Sequence, residues 1–222
     1  MKKIRTILIG THNDGKFKEL SYLLPKNLKK ISPKKLRIKS PAETGKSFLA
    51  NSKLKASYFY KNSGIPSISD DSGLSISCLK GRPGIYSARW AKKYGSFKNA
   101  MKKIIFMVNK KNYKKKLKNT KATFICSLAV RLSKKKIVSS IGKIEGNISN
   151  KILGKKGFGY DPIFVPKSHE ITFGQMQKKK KILIDHRFIA YRKLKKKINI
   201  FWTFHFQSYR YLILEKLCRL KI

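Results

Sequence analysis

Apolar positions recur along this chain with two different periods. Ile4, Ile7, Leu8 and Ile9 make a short apolar run ending at Gly10, which predicts a buried strand over 4–9. Gly15 then opens a helical pattern with Phe17, Leu20, Leu23 and Leu24 on one face, closed by Pro25. A second strand is expected over 34–39. Residues 46–61 predict a helix with Phe48, Leu49, Leu54, Ala56 and Tyr58 or Phe59 turned inward. Short strand-like pieces at 66–69 and 74–79 flank an Asp-Asp-Ser-Gly turn, and 96–109 reads as a helix.

The clearest strand is 121–132. Ala122, Phe124, Cys126, Leu128, Val130 and Leu132 alternate with Thr123, Ile125, Ser127, Ala129 and Arg131. Residues 136–148 are its expected hairpin partner. A loop punctuated by Gly and Pro spans 157–166, and a final helix is expected from about His186 to Lys197, with Asp185 as its N-cap. From Ile198 the composition changes: Phe201, Trp202, Phe204, Phe206, Tyr209 and Tyr211 crowd together, followed by Leu212 to Leu220. The organisation expected is one domain over 1–197 and an aromatic-rich extension over 198–222, without a clean period of its own.

Charge changes the picture. The 222 residues contain 54 Lys and Arg against 10 Asp and Glu, a formal charge of +44. One reading is a nucleic-acid binder, because Lys and Arg release counterions from phosphates. The other is compositional drift, since Lys, Ile, Asn, Phe and Tyr are all abundant together. The Lys runs scatter through expected loops and helix faces rather than collecting on one tail, which favours drift. On either reading the field draws anions toward the protein. Cys78, Cys126 and Cys218 form no CxxC pair, so neither a disulfide framework nor a zinc site is expected. No apolar run reaches signal-peptide or membrane-spanning length. The chain reads as soluble and cytoplasmic, without a dedicated nucleic-acid or membrane partner.

The few carboxylates are informative because they are few. Asp14 and Glu19 lie just after the first expected strand, Glu43 opens Glu43-Thr44-Gly45-Lys46-Ser47-Phe48, and Asp70 and Asp71 are adjacent. Asp161 sits in Gly157-Phe158-Gly159-Tyr160-Asp161-Pro162, and Asp185 abuts His186-Arg187. Carboxylates with Lys and Gly-containing turns suit a site for Mg²⁺ and phosphate. Thr11, His12, Asn13, Asp14, Gly15 and Lys16 join a strand to a helix, either as a phosphate-binding loop or as an ordinary turn. Adjacent strand residues face opposite ways, so one of Asp70 and Asp71 points into any given site, with Glu43 as a second metal ligand. Phe158 to Asp161 offers an aromatic for a base, or a packed turn. Lys181, His186 and Arg187 supply several N–H donors, suited to a keto oxygen or a phosphate. His12, His169 and His205 have no metal-ligand spacing.

In order and spacing, these blocks resemble the inosine/xanthosine triphosphate pyrophosphatase family, from about Ile7 to Leu194. The resemblance is strongest at Asp70-Asp71-Ser72-Gly73-Leu74, Gly81 to Arg89, Gly157 to Phe164, and His186-Arg187. It implies an α/β fold with an elongated mixed sheet, flanking helices, two lobes and a central nucleotide cleft. It also implies a homodimer and Mg²⁺-dependent hydrolysis of ITP, dITP and XTP to the monophosphate and pyrophosphate. Carried onto this chain, it makes Asp71 the catalytic proton acceptor and, with Glu43, the metal ligand. Thr11, His12, Asn13, Asp14, Gly15, Lys16 and Ser72 touch the nucleotide, and Lys53 or Lys55 reaches phosphate. Phe158, Gly159, Tyr160, Asp161, Lys181, His186 and Arg187 surround the base. Three departures stand out: His12 in place of a small residue, Ala50-Asn51-Ser52 in place of Glu-Asn-Ala, and Asp185 in place of Ser before His-Arg.

Overall fold

The structure, a computed structural model, describes residues 4–115 and 119–198. The segment from 199 on, with its aromatic cluster, His205 and Cys218, lies outside the described residues. Strand β1 (Thr6–Ile9) is followed by helix α1 (Asp14–Leu23), whose N-cap Asn13 accepts the Lys16 N–H on its side chain at 3.0 Å. Strand β2 (Lys29–Ile31) runs parallel to β1 at the sheet edge. Helix α2 (Phe48–Ser63) leads to β3 (Ser67–Ile76), which pairs parallel with β1 and antiparallel with β4 (Lys121–Arg131). Helices α3 (Ser87–Lys93) and α4 (Phe97–Lys115) lie between β3 and β4 in sequence. The hairpin partner β5 (Ile137–Ile148) pairs with β6 (Phe164–Pro166), then come α5 (Lys178–Lys181) and α6 (His186–Ile198). The sheet is mixed, ordered β2-β1-β3-β4-β5-β6, with helices against it.

Two expectations are corrected. Residues 34–39 form no strand. Pro33–Leu36 is a 3₁₀ turn, started by a Pro that needs no N–H partner and ended by Arg37 at φ 52°. The strand is the preceding Lys29–Ile31, and a Lys-rich segment is tolerated there because it is an edge. Asp70 to Gly73 make no turn: β3 runs unbroken through them, with Asp70 opposite Leu128 and Asp71 opposite Ser127. The backbone groups gain a full ladder, and cations from other elements neutralise the carboxylates, so two acids fit mid-strand.

Two hydrophobic cores sit at opposite ends of the long strands β3 and β4. One gathers Ile68, Leu128 and Val130 with Ile7 and Ile9 of β1, Leu20 and Leu23 of α1, and Ala190 and Leu194 of α6. The other gathers Leu74, Ile76, Ala122 and Phe124 with Ile104 and Val108 of α4, and Phe164 and Phe173. Asp70, Asp71 and Ser72 occupy the β3 positions between them. The two lobes therefore meet at a polar band built into the central strand. A Cβ at Gly73 would run into Gly84 O and Ser87 Oγ, so Gly is what lets the Gly84–Ser87 segment close over β3 at this junction.

The expected alternation along β4 is present, but Ser127 and Ala129 are buried as well. Helix α2 covers that second face, and Ser52 Oγ meets Ser127 Oγ at 2.8 Å. The inward stripe of α2 also differs from the apolar expectation: Asn51, Ser52, Lys55, Ala56 and Phe59 are buried, while Phe48, Leu49, Leu54 and Tyr58 are half-buried.

Candidate active site

Asp70 and Asp71 project from opposite faces of β3 into two different charge clusters. On one face Asp70 Oδ2 meets Lys16 Nζ at 3.1 Å, Arg187 Nη2 at 3.0 Å and Ser72 Oγ at 3.1 Å. Glu19 of α1 accepts from Lys181 Nζ at 2.9 Å and from Arg187 Nη1. Asp161 Oδ2 accepts from Lys181 Nζ at 2.7 Å and from the Phe158 N–H at 2.8 Å. The Phe158 ring lies under both cations, its centroid 4.9 Å from Lys181 Nζ and 5.7 Å from Arg187 Cζ. It also packs on Gly15, where a Cβ would come within 2.6 Å of the ring. The loop at the start of α1 and the loop at 157–161 are thus in direct contact.

On the other face Asp71 Oδ2 accepts from Asn51 Nδ2 at 3.0 Å, and Asp71 Oδ1 lies 3.6 Å from Lys55 Nζ. The same Lys55 Nζ donates to Glu43 Oε1 at 2.5 Å. The Glu43 segment is held by Arg89, which donates to Glu43 O, and by Asn51 Oδ1, which accepts from the Gly45 N–H. Two carboxylates from separate elements therefore converge on one cation. Among the described residues no group of three or more His, Cys, Asp and Glu forms a metal cage. Two carboxylates are nevertheless a fitting donor set for a hard divalent cation that takes its remaining ligands from water and substrate phosphates.

The two neighbours titrate apart. Burial alone would raise Asp70, but Lys16, Arg187 and Lys55 outweigh it and hold its carboxyl far below the usual range. Burial raises Asp71, and the charge of Glu43 adds to it, against the opposing pull of Lys55, Lys16 and the Asn51 hydrogen bond. One carboxyl is held ionised and the other is pushed toward its protonated form, a difference set by environment.

The Ham1 family model matches residues 7–197, nearly the whole described chain. The chain belongs to the Ham1 family. It is 39% identical over 194 residues to a protein of Caulobacter vibrioides named dITP/XTP pyrophosphatase, covering 85% of this chain and 95% of that one. A Dictyoglomus thermophilum protein of the same name is 39% identical over 196 residues, covering 86% and 93%. Among solved structures, a HAM1 protein from Coxiella burnetii superposes with a TM-score of 0.78 at 30% identity, covering 88% of this chain and 98% of that one. The Staphylococcus aureus Ham1 protein superposes with a TM-score of 0.74 at 30% identity, covering 87% and 98%.

Within this Ham1 fold most residues singled out from the sequence come together. Lys16, Ser72, Phe158, Asp161, Lys181 and Arg187 share the Asp70 face; Glu43 and Asp71 share the other. Lys55 is buried between the carboxylates, whereas Lys53 is exposed. Asp14 does not join either cluster: it pairs with Lys34 at 2.8 Å on the surface. His12 bonds Ser40 Oγ through Nδ1 at 2.6 Å, and Thr11 Oγ1 accepts from the Asn13 N–H at 3.2 Å. Tyr160 is buried; its hydroxyl donates to Ser87 O at 2.8 Å and its ring meets Phe97 edge-on, so it braces the loop. Gly159, at φ 66°, supplies the left-handed residue beside it. His186 stacks on Phe124 at 4.8 Å, and burial together with Arg187 and Lys181 keeps it neutral.

Glu19, Asp70 and Asn51 were not among the sequence-derived site residues. The signal for Glu19 was available: in a chain this poor in carboxylates, an acid spaced onto the apolar face of α1 beside Leu20 and Leu23 is anomalous. Asp185 does cap α6, accepting the Phe188 N–H at 2.8 Å.

Proposed function

We propose that this chain hydrolyses non-standard purine nucleoside triphosphates, ITP, dITP and XTP, to the monophosphate and pyrophosphate, keeping them out of nucleic acid. The observation behind this reading is the pair Glu43 and Asp71 held across one cation, with Asp71 raised toward the range useful for proton transfer. The names of the relatives point the same way. Glu43 and Asp71 fit Mg²⁺, which when bound would screen phosphate charge and acidify water. Asp71 takes a proton from the attacking water, whose oxygen bonds the α-phosphorus while the bond to the α–β bridging oxygen breaks and pyrophosphate leaves. Lys16 and Lys55 offset the phosphate charge.

Selectivity follows from which hydrogen-bonding capacity is left unused on the Asp70 face. Lys181 commits two of its three N–H donors, to Glu19 and Asp161, and the Nε–H of Arg187 has no partner. The spare groups of these two cations are donors, while Asp70 Oδ1 beside them is an unpartnered acceptor. The cations' donors match the keto oxygen of a 6-keto purine and mismatch a 6-amino group. Phe158 supplies a face for the base. The reading includes a homodimer in the cytoplasm, without a dedicated nucleic-acid or membrane partner. Among the described residues no helix is long and apolar enough to cross a membrane.

The test is phosphate release from ITP, XTP, ATP and GTP, coupled to pyrophosphatase, with and without Mg²⁺, for wild type and Asp71→Asn. Wild type is expected to prefer ITP and XTP and to need the metal, with Asp71→Asn reduced about 100-fold or more. Equal turnover of all four nucleotides, or an Asp71→Asn variant keeping more than about a tenth of wild-type rate, overturns it.

A further inference from the structure

We propose that Glu19 is a positioning residue for selectivity, holding Lys181 and Arg187 together and tying them to the loop at the start of α1. This inference rests on the proposed reading of those two cations as the groups that face the base. Glu19 lies one turn into α1, three residues beyond Lys16, and is 5% exposed. Its two carboxylate oxygens are divided between the cations: Oε1 accepts from Lys181 Nζ at 2.9 Å and Oε2 from Arg187 Nη1. Asp161 reaches Lys181 but not Arg187, and Asp70 reaches Arg187 but not Lys181. Among the described residues Glu19 is the one carboxylate that pairs with both.

Both oxygens of Glu19 are occupied, so it does not itself read a ligand. Its effect is on direction. A buried Lys ammonium with three donors points the free one wherever the other two are not held. Glu19 and Asp161 fix two of them from different elements, α1 and the 157–161 loop, so the third has one direction left. On Arg187, Glu19 takes Nη1 while Asp70 and Ser72 take Nη2, which fixes the guanidinium plane and hence the line of its unpartnered Nε–H. Because Glu19 is on α1, the same helix whose first turn carries Gly15 and Lys16 against Phe158 and Asp70, the phosphate side and the base side are set by one rigid element.

Glu19→Gln is the test, since it keeps shape and burial while removing the charge and setting an amide N–H against an N–H donor. The specificity constant for ITP is expected to fall about 10-fold or more, mainly through KM, with the ITP-to-ATP ratio falling by a similar factor. Inhibition by inorganic tripolyphosphate, which has no base, is expected to stay within about twofold of wild type. Glu19→Asp, which keeps the charge but shortens the reach, is expected to retain part of the ITP preference and guards against a Gln variant that fails to fold. An equal loss for ITP and ATP, or weakened tripolyphosphate inhibition in step with the loss of ITP, overturns the proposal. A wild-type enzyme without ITP preference instead sinks the functional reading; Glu19 is then judged on calorimetric binding of ITP against tripolyphosphate, where an unchanged ITP affinity in Glu19→Gln overturns it.

Discussion

The side-chain amide of Asn51 donates to Asp71 Oδ2 at 3.0 Å from the buried face of α2. Its other end accepts the Gly45 N–H at 2.8 Å, so one fully buried amide orients the Asp71 carboxylate and pins the loop that carries Glu43. Asn51→Ala removes both bonds and strands the Gly45 N–H. The expected result is a fall in kcat of about 10-fold or more. The Asn51 bond also lowers the Asp71 pKa, so losing it moves Asp71 further up. The acid limb of the pH–rate profile is expected to shift to higher pH; a profile superimposable on wild type would mean Asn51 only packs.

Glu43→Gln tests the second oxygen ligand. Glu43 is the more exposed member of the pair and shares Lys55 with Asp71. Replacing the carboxylate with an amide removes a negative donor from a site that suits a hard cation. The Mg²⁺ concentration for half-maximal ITP hydrolysis is expected to rise roughly tenfold, equivalent to about 1.4 kcal/mol, with little change in the rate at saturating metal. A metal titration unchanged from wild type would remove Glu43 from the shell.

The elements built from apolar periodicity were legible in the sequence. Strand β1, helix α1 with its stop at Pro25, the β4–β5 hairpin and α6 with its Asp185 cap all follow from spacing and capping. What periodicity hides is polar burial. Asn51 and Lys55 lie one turn apart on the inward stripe of α2, and a search for apolar residues turns that helix toward its half-buried flank instead. The continuity of β3 was hidden for a related reason. Asp, Ser and Gly read locally as a turn, whereas Lys16, Arg187 and Lys55, brought in from positions distant in sequence, make a carboxylate-bearing strand stable. Of the site, the carboxylates of the quoted motifs were visible because acids are scarce. The partners that assign roles to them were not, since pairing Glu19 with Lys181 spans 162 positions.

Asp185 makes stability depend on pH. Burial first, and the charge of Glu19 second, push its carboxyl from the ordinary 3.8 up to about 7, against the opposing pull of Arg187, Lys181 and the Phe188 N–H. Between those two values the folded chain holds a proton that the unfolded chain has released. Stability from this group is therefore greatest at acid pH and declines as pH rises toward about 7. Asp185→Asn keeps an N-cap and cannot ionise. Relative to wild type it is expected to gain little near pH 4 and on the order of 1–3 kcal/mol at pH 8, several degrees in thermal midpoint. His186, neutral in the fold, contributes its own acid-side loss to both proteins and cancels in the difference. A constant gap between the two midpoints from pH 4 to 8 would show that Asp185 is not the titrating group.

Ile198, the last described residue of α6, is tied to the body of the fold. Ile198 is 2% exposed and packs with Leu194 and Tyr191 in the core shared by α1, α6 and β1. Burying such a side chain is worth about 1.5–3 kcal/mol. A chain of residues 1–198 is expected to match the full-length protein in ITP turnover, thermal midpoint and mass by light scattering. Stopping at Lys197 should cost a few degrees, because it deletes one buried side chain. Stopping at Lys193 should cost far more, because Leu194 goes with it and the last turn of the helix over β4 and β5 is lost. If 1–198 loses activity or halves in mass, the aromatic-rich segment belongs to the working fold and is not a separable extension.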